Sequence, residues 1–257
     1  MAFGGEFILR PRSWRRLARF AGFATVAALS SSAYTRAARE IAVHQIYLTA
    51  WKVVPGYLAF SALLSLVIIE VVRNAARSYG LTDYALELVL RVLVLELIPF
   101  LTAVFVALRS GSEIGAEIAL MRVSGELEDQ EEAGASPLHH ELAPRVVGSA
   151  LSVFTLTTLA SALAMYIAYA SFFGTSISGF HVFTRVVGHI FDLQILVGFL
   201  LKCLVFGLAV ALIPLATGLE AERGEPRSVP FTVVAGLVKL FFVVCLIEIL
   251  SLVVKYV

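Results

Sequence analysis

Ionisable side chains within apolar stretches are the residues of this sequence most able to do chemistry. Glu96 lies in a long apolar run, three residues before Pro99, and that run leads to Arg109 and Gly111. A charged side chain at the centre of a bilayer costs roughly 2.5–3.5 kcal/mol, so its presence needs a structural or functional reason. Proline removes a backbone donor and can kink a helix. Glu96 beside Pro99 therefore predicts a contact with a polar headgroup, or a hinge, that faces the interior of a helix bundle.

Two other acidic residues in these stretches have basic partners close by in the sequence. Glu87 and Arg91 are four residues apart, a spacing that brings both to one face of a helix and predicts an ion pair. Glu70 has Arg73 and Asn74 within one helical turn, and it is predicted to pair with one of them at the end of its helix.

Two lysines, Lys202 and Lys239, lie in the last two apolar stretches. The aliphatic stem of a lysine can lie along apolar surface while its ammonium group reaches toward water. Each side chain is therefore predicted either to snorkel toward the membrane surface or to form a structural ion pair.

The sequence contains no recognisable catalytic or metal-binding motif. His139, His140 and Glu141 suggest a zinc motif, but H-E-x-x-H would require a histidine where the chain has Pro144. A Gly-x-x-x-x-Gly-Lys-Ser/Thr loop is also missing, so the chain is predicted to need no cofactor of its own. If ATP drives its function, a separate subunit must bind the ATP and magnesium. The formal charge of +1 gives no electrostatic argument for nucleic acid.

Composition places the chain in a membrane. Its residues are 59% hydrophobic and 15% charged, whereas about 25% charged residues is usual for a soluble domain. About 20 apolar residues cross a bilayer as a helix, and five stretches are long enough. The predicted spans are Val53–Val72, Tyr84–Leu108, Val146–Phe173, Leu193–Thr217 and Val229–Val254.

The distribution of lysine and arginine predicts the orientation of these spans. Residues 1–52, 109–145 and 218–228 carry thirteen such residues, against four on the opposite side. Because basic residues concentrate on the cytoplasmic side, the N-terminus is predicted to be cytoplasmic and the C-terminus to lie outside.

The N-terminal 35 residues permit two interpretations. Apolar residues at helical spacing, with arginines mostly off that face, are typical of an amphipathic helix at the membrane surface. An arginine-rich start followed by the apolar run Phe20–Leu29 and then Ser31 and Ala33 is also typical of a cleaved signal peptide. Residues 1–40 are predicted to form a segment separate from a five-span domain over 41–257.

A short polar helix is predicted after the second span, within loop 109–145. Glu113 and Glu117 share one helix face, and Ile114, Ile118 and Met121 recur on another. Such an amphipathic helix suits docking into a cleft on a cytoplasmic partner; the alternative is a solvated helix that only connects two spans. The acidic run that follows, over 126–132, is predicted to be solvated.

Residues 96–122 carry a resemblance to a known family. The pattern of Glu96 and Pro99, then Arg109 and Gly111, and then a glutamate and a methionine resembles the MlaE/YrbE family of ABC-transporter permeases, which move lipids together with MCE-domain proteins. Further matches are Pro144-Arg145, Lys202 with Phe206-Gly207, and Gly218-Leu219, and the resemblance extends over roughly 41–250. The matching residues in the first block are Glu96, Pro99, Arg109, Gly111, Ala116, Glu117 and Met121.

The resemblance implies an all-α integral membrane protein with an N-terminal interfacial helix, five transmembrane helices and a cytoplasmic coupling helix between the second and third. It further implies a bacterial inner-membrane permease with three partners: a cytoplasmic ABC ATPase, a periplasmic MCE protein and a second permease copy or a paralogue. Pro99, Arg109 and Gly111 would be hinge or structural residues. The residues predicted to couple to the ATPase are Glu113, Glu117, Met121, Arg122 and Glu126.

A lipid site is predicted beside the first span. Its apolar residues at spacings of three and four form one helix stripe, and packing within one subunit is the alternative explanation. The family resemblance implies an outward-open lipid cavity made by the first two spans of two subunits, with arginines above the stripe to bind a phosphate headgroup. The predicted lipid-binding residues are Leu64, Val67, Ile68, Val71, Arg73, Arg77 and Glu96.

Two other functional classes remain open at this point. An ion-coupled secondary transporter would use intramembrane carboxylates such as Glu96 and Glu248 as proton sites. A membrane scaffold would transport nothing. An ATPase that co-purifies with the chain, and whose hydrolysis responds to it, would separate these classes from an ABC permease.

Charge reversal at Arg73 and Arg77 tests the lipid site. If these arginines attract a phosphate headgroup, Arg73→Glu and Arg77→Glu should weaken crosslinking of a photoreactive phospholipid at the opening of the predicted lipid cavity. Crosslinking that is unchanged in yield would contradict the prediction.

Overall fold

The computed structural model describes residues 53–132, 142–174 and 177–256, together with residues 22, 43 and 47. The predicted surface helix and the alternative signal peptide fall outside these residues, apart from Gly22. The residues considered for a zinc motif, His139, His140 and Glu141, also lie outside them.

The described chain is helical, and it contains five candidate membrane spans, in agreement with the prediction. We number the helices α1 to α9 in chain order. Five helical stretches are long and apolar enough to cross a membrane: Val54–Ser78, Tyr84–Ser124, Ala143–Phe173, Leu193–Gly218 and Ser228–Lys255. The helices are α1 (Val54–Ser78), α2 (Thr82–Val89), α3 (Ile98–Val106), α4 (Ser112–Ser124), α5 (Glu126–Glu132), α6 (Ala143–Phe173), α7 (Ile177–Ile190), α8 (Leu193–Gly218) and α9 (Ser228–Tyr256).

The second span continues past the point where the sequence predicted its end. Two π-helical segments, Leu90–Leu97 and Ala107–Gly111, join α2, α3 and α4 into one helical stretch. The helix therefore does not stop at Leu108, where the predicted second span ended. Gly111 keeps a helical φ of −63°, and the Ser112 hydroxyl donates to the Leu108 carbonyl at 2.9 Å. The chain turns instead at Gly125, whose φ of 83° is readily available to glycine.

Pro99 does not break this span. It occupies the first turn of α3, where the missing N–H is tolerated best. The π-helical segment before it hydrogen-bonds with a wider turn than an α-helix does. The predicted kink at this proline is thus replaced by a local change of helix type, which sets the direction of the preceding side chains, including Glu96.

The five spans differ in how deeply they are buried in the chain. In the most hydrophobic part of the second span, 61% of the residues are buried within the chain. In the corresponding parts of α1 and α9 the shares are 22% and 17%. Helix α8 lies at the centre, packed against α6, α9 and α4. Helices α1 and α9 therefore present most of their apolar surface to lipid or to another chain.

Helices α4 and α8 cross without room for side chains. We call this contact the glycine crossing; it consists of Gly111 and Gly115 on α4 and Pro214 and Gly218 on α8. A Cβ atom on Gly218 would lie 2.9 Å from the carbonyl oxygen of Gly115, and one on Gly111 would lie 3.3 Å from Cγ of Pro214. Glycine allows this close approach of backbones, as in other packed membrane helices. The crossing fixes α4 to the end of α8.

Two alanine substitutions on α8 test the glycine crossing. Gly218→Ala should destabilise the protein by about 1–3 kcal/mol because the added methyl group meets backbone. Gly198→Ala is the matched control, since a Cβ at Gly198 meets no atom within 4 Å; it should be neutral or stabilising by about 0.5–1 kcal/mol. Unfolding in detergent measures both, and equal stability of the two variants would contradict the close crossing.

Candidate functional site

Four charged side chains meet inside the membrane-spanning bundle. The ammonium group of Lys202, on α8, contacts the carboxylates of Glu96, on the second span, and Glu248, on α9; the Glu248 contact is 2.6 Å. The second carboxylate oxygen of Glu96 accepts a hydrogen bond from Lys255 Nζ at 2.6 Å. We call these four residues the Lys202 cluster. Two carboxylates and two ammonium groups cancel in charge, and together they join three spans.

Burial makes this pairing necessary. Glu96 and Lys202 are only 7% and 6% exposed, and an ion that is moved into a low-dielectric interior loses several kcal/mol of hydration. Glu96 belongs to the π-helical segment Leu90–Leu97, and Lys202 lies in the first half of α8. Because Lys202 on α8 pairs with Glu96 on the second span and with Glu248 on α9, the cluster holds these three spans in register.

Of the two interpretations of Lys202 and Lys239, the structure shows the structural ion pair and not snorkelling. Lys202 is in the cluster, and Lys239 is 1% exposed, with Nζ 3.0 Å from the carboxylate of Glu220. These particular partners could not be identified from the sequence, because they lie on other helices or beyond a helix end. Lys255 was likewise missed: 159 residues separate it from Glu96.

Both short-range ion pairs are confirmed. Arg73 donates to the Glu70 carboxylate at 2.6 Å, and Arg91 donates to the Glu87 carboxylate at 2.8 Å. Arg73 also donates to the carbonyl oxygen of Ser171 at 2.6 Å, which connects α1 to α6. Arg77 is exposed. Arg77 is therefore the better placed of the two predicted headgroup arginines to meet a ligand.

The predicted lipid-binding stripe lies largely on the open side of α1. Val67 and Val71 are 57% and 62% exposed, opposite the buried face of this helix. Leu64 and Ile68 are half-buried, and Ile68 packs against the core. Among the described residues, no hydrogen bond or ion pair links Glu96 to either predicted headgroup arginine.

Helix α4 has one buried and one exposed face. Ile114, Ile118 and Met121 are buried against residues of α8 and the start of α6. Glu113 and Glu117 are exposed on the other face. Met121, one of the predicted coupling residues, thus contacts its own bundle, whereas the two carboxylates are accessible to a partner.

Ion pairs connect the exposed face of α4 to its surroundings. Arg109 donates to Glu113 at 3.1 Å. Arg145, buried at the start of α6, pairs with Glu117, and Arg122 pairs with Glu128 on α5. Two further predicted residues, Pro99 and Gly111, are buried.

Glu126 is the remaining predicted coupling residue. It begins α5, directly after the turn at Gly125, and its side chain is exposed. Within the described ranges no cation pairs with it. Its carboxylate is consequently available for an external partner.

Comparison with known proteins gives a consistent result. The sequence model of the family described as Permease MlaE matches residues 42–254. The probable ABC transporter permease protein slr1045 of Synechocystis sp. is 32% identical over 151 residues, covering 57% of each chain. The chloroplastic protein TRIGALACTOSYLDIACYLGLYCEROL 1 of Arabidopsis thaliana is 29% identical over 156 residues, covering 57% of this chain and 43% of the relative. The chain thus spans about half the length of these curated relatives.

Removing the central lysine tests the Lys202 cluster. Lys202→Met should destabilise the protein by roughly 3–5 kcal/mol, because it leaves two carboxylates facing each other inside the bundle. Adding Glu248→Gln should recover part of that loss. Arg91→Met, which breaks a half-exposed pair, is the control and should cost about 1 kcal/mol or less. Chemical unfolding in detergent measures all three, and equal losses for the two single variants would contradict the assignment.

Proposed function

The chain belongs to the MlaE permease family, and on this premise we propose that it is the membrane-spanning subunit of an ATP-driven transporter of phospholipid or a related lipid. Family membership makes it a multi-pass membrane permease rather than an enzyme and implies an ATPase partner. The observation that carries the proposal is helix α4, whose apolar face is buried in the bundle and whose carboxylates are exposed.

Helix α4 is the proposed coupling helix. A cytoplasmic ABC ATPase docks against its exposed face, through Glu113, Glu117 and the neighbouring Arg122 and Glu126, and binds the ATP and magnesium itself. The glycine crossing supports transmission: because the backbones of α4 and α8 approach closely at Gly115 and Gly218, displacement of one helix moves the other. Helix α8 then carries the motion to the Lys202 cluster, and through it to the second span and α9.

The lipid site of the proposal lies beside α1. An acyl chain needs apolar walls, and the open side of α1 supplies them with Val67 and Val71. Arg77, exposed near the end of the same helix, is a cation for the phosphate headgroup. The low burial of α1 and α9 favours a second permease copy or a paralogue that closes the cavity.

The proposed setting is a bacterial inner membrane. The N-terminus and α4 lie on the cytoplasmic side, and the C-terminus lies on the periplasmic side, where a periplasmic MCE-domain protein receives or delivers the lipid. The excess of lysine and arginine in residues 1–52 supports this orientation.

The charge balance of the cluster favours this function over ion-coupled transport. A proton site needs a carboxylate that alternates between charged and neutral forms. Glu96 and Glu248 both contact Lys202, and Glu96 also contacts Lys255. Carboxylates whose charge is balanced by lysines in this way suit a contact that holds the spans together while they move as a unit.

Co-purification tests the proposal. Tagged full-length protein, extracted in mild detergent, should retain a P-loop ATPase whose hydrolysis rate changes when the permease is present. Mass spectrometry of the lipids extracted from the same sample should show enriched phospholipid or a related lipid. A preparation without an ATPase would contradict the proposal, as would an ATPase that does not respond to the permease.

A further inference from the structure

An open cleft lies at the end of the bundle formed by α4 and α5. Its volume is about 650 Å³, and its walls come from three parts of the chain: the last turns of α4, Arg145 at the start of α6, and the turn between α8 and α9. The turn is fixed to α4 by a hydrogen bond from the Gly224 N–H to the Val123 carbonyl at 3.1 Å. The cleft therefore has a defined shape, and it extends the docking surface beyond α4 itself.

The cleft is lined by apolar side chains and by charged ones. Leu120, 55% exposed, and Val123 lie on one side, and Pro226 lies on the other. At the rim, Glu117 is paired with Arg145, whereas Glu126 has no cationic partner among the described residues. Glu126 is thus the lining carboxylate that makes no ion pair with a described residue, and the guanidinium of Arg223 lies against the neighbouring Gly125.

The surroundings of the cleft are acidic as well. Residues 109–132 contain seven carboxylates and two arginines, and residues 220–227 contain three carboxylates and two arginines. The carboxylates crowd one another: a hydrogen bond with the Glu222 carboxyl, and the negative charge of that group, raise the pKa of Glu225. Such a field attracts a cationic partner and repels a phosphate headgroup.

We propose that this cleft receives one arginine or lysine side chain of the partner ATPase, with its aliphatic stem on Leu120, Val123 and Pro226 and its charged head at Glu126. The inference rests on the proposed function, because it needs the ATPase. A long basic side chain matches both parts of the cleft, since it combines an apolar stem with a cationic head. The turn between α8 and α9 becomes a second docking element beside α4.

Other occupants fit the cleft less well. A metal ion prefers several carboxylates around one point, and no group of three or more histidine, cysteine or acidic residues suited to a metal is found among the described residues. A second copy of the chain, related by two-fold symmetry, would present the same acidic face, and like charges repel.

A pair of glutamine variants on α5 tests the assignment. Glu126→Gln removes the rim carboxylate, and Glu132→Gln makes the same charge change at an exposed residue of the same helix that does not line the cleft. Full-length permease in lipid nanodiscs is titrated with the ATPase purified from the co-purification experiment, at about 50 mM salt. Glu126→Gln should raise the Kd about tenfold, whereas Glu132→Gln should change it by less than about twofold.

A photoreactive amino acid at position 120 gives a second measurement that does not depend on charge removal. It should crosslink to an ATPase peptide that contains an arginine or lysine, and the same probe at position 132 should give little of that product. If the ATPase binds wild type but the two glutamine variants bind equally, the cleft assignment is overturned while the proposed function stands. If the ATPase does not bind wild type, both fail.

Discussion

A buried lysine within a membrane bundle needs negative charge around it, and this requirement organises the structure. Lys202 meets it by contacting Glu96 and Glu248, which belong to two other spans. Breaking such a pair leaves an uncompensated ion in a low-dielectric region, which costs far more than an exposed pair contributes. The three spans are therefore held in one register, and Lys255 completes the charge balance from the end of α9.

Helix α8 connects this cluster to the opposite end of the bundle. It carries Lys202 in its first half, and at its C-terminal end it meets α4 through Pro214 and Gly218 in the glycine crossing. The two contacts are of different kinds: one is electrostatic and needs specific partners, and the other is steric and needs glycine at the points of closest approach. Together they give a proposed path along one helix from the ATPase-docking surface to the second span and α9.

Local sequence patterns predicted the parts of this protein that depend on local physics. Apolar length located all five spans, and spacings of three and four residues predicted the Glu70–Arg73 and Glu87–Arg91 pairs. The partners of Lys202 and Lys239 were not predictable in this way, because long-range ion pairs leave no periodic signal in a single sequence. The glycine at 111 was noticed only as part of a family pattern, and its packing against Pro214 depends on a helix about a hundred residues away.

The continuation of the second span was also not visible in the sequence. Arg109–Ser110–Gly111 has the polar and glycine content typical of a helix end, but a π-helical segment carries the chain through it. The same kind of segment holds Glu96. Wider helical turns redirect side chains without any distinctive composition, and they occur frequently at functional sites.

Energised lipid transfer in a reconstituted system tests the central claim most directly. The purified permease and its ATPase would be placed in proteoliposomes with a fluorescent phospholipid, and its transfer to an acceptor would be followed with ATP, with a non-hydrolysable analogue, or with a proton gradient alone. The account predicts transfer that requires both subunits and hydrolysable ATP. Transfer by the permease alone, driven by the proton gradient, would contradict it.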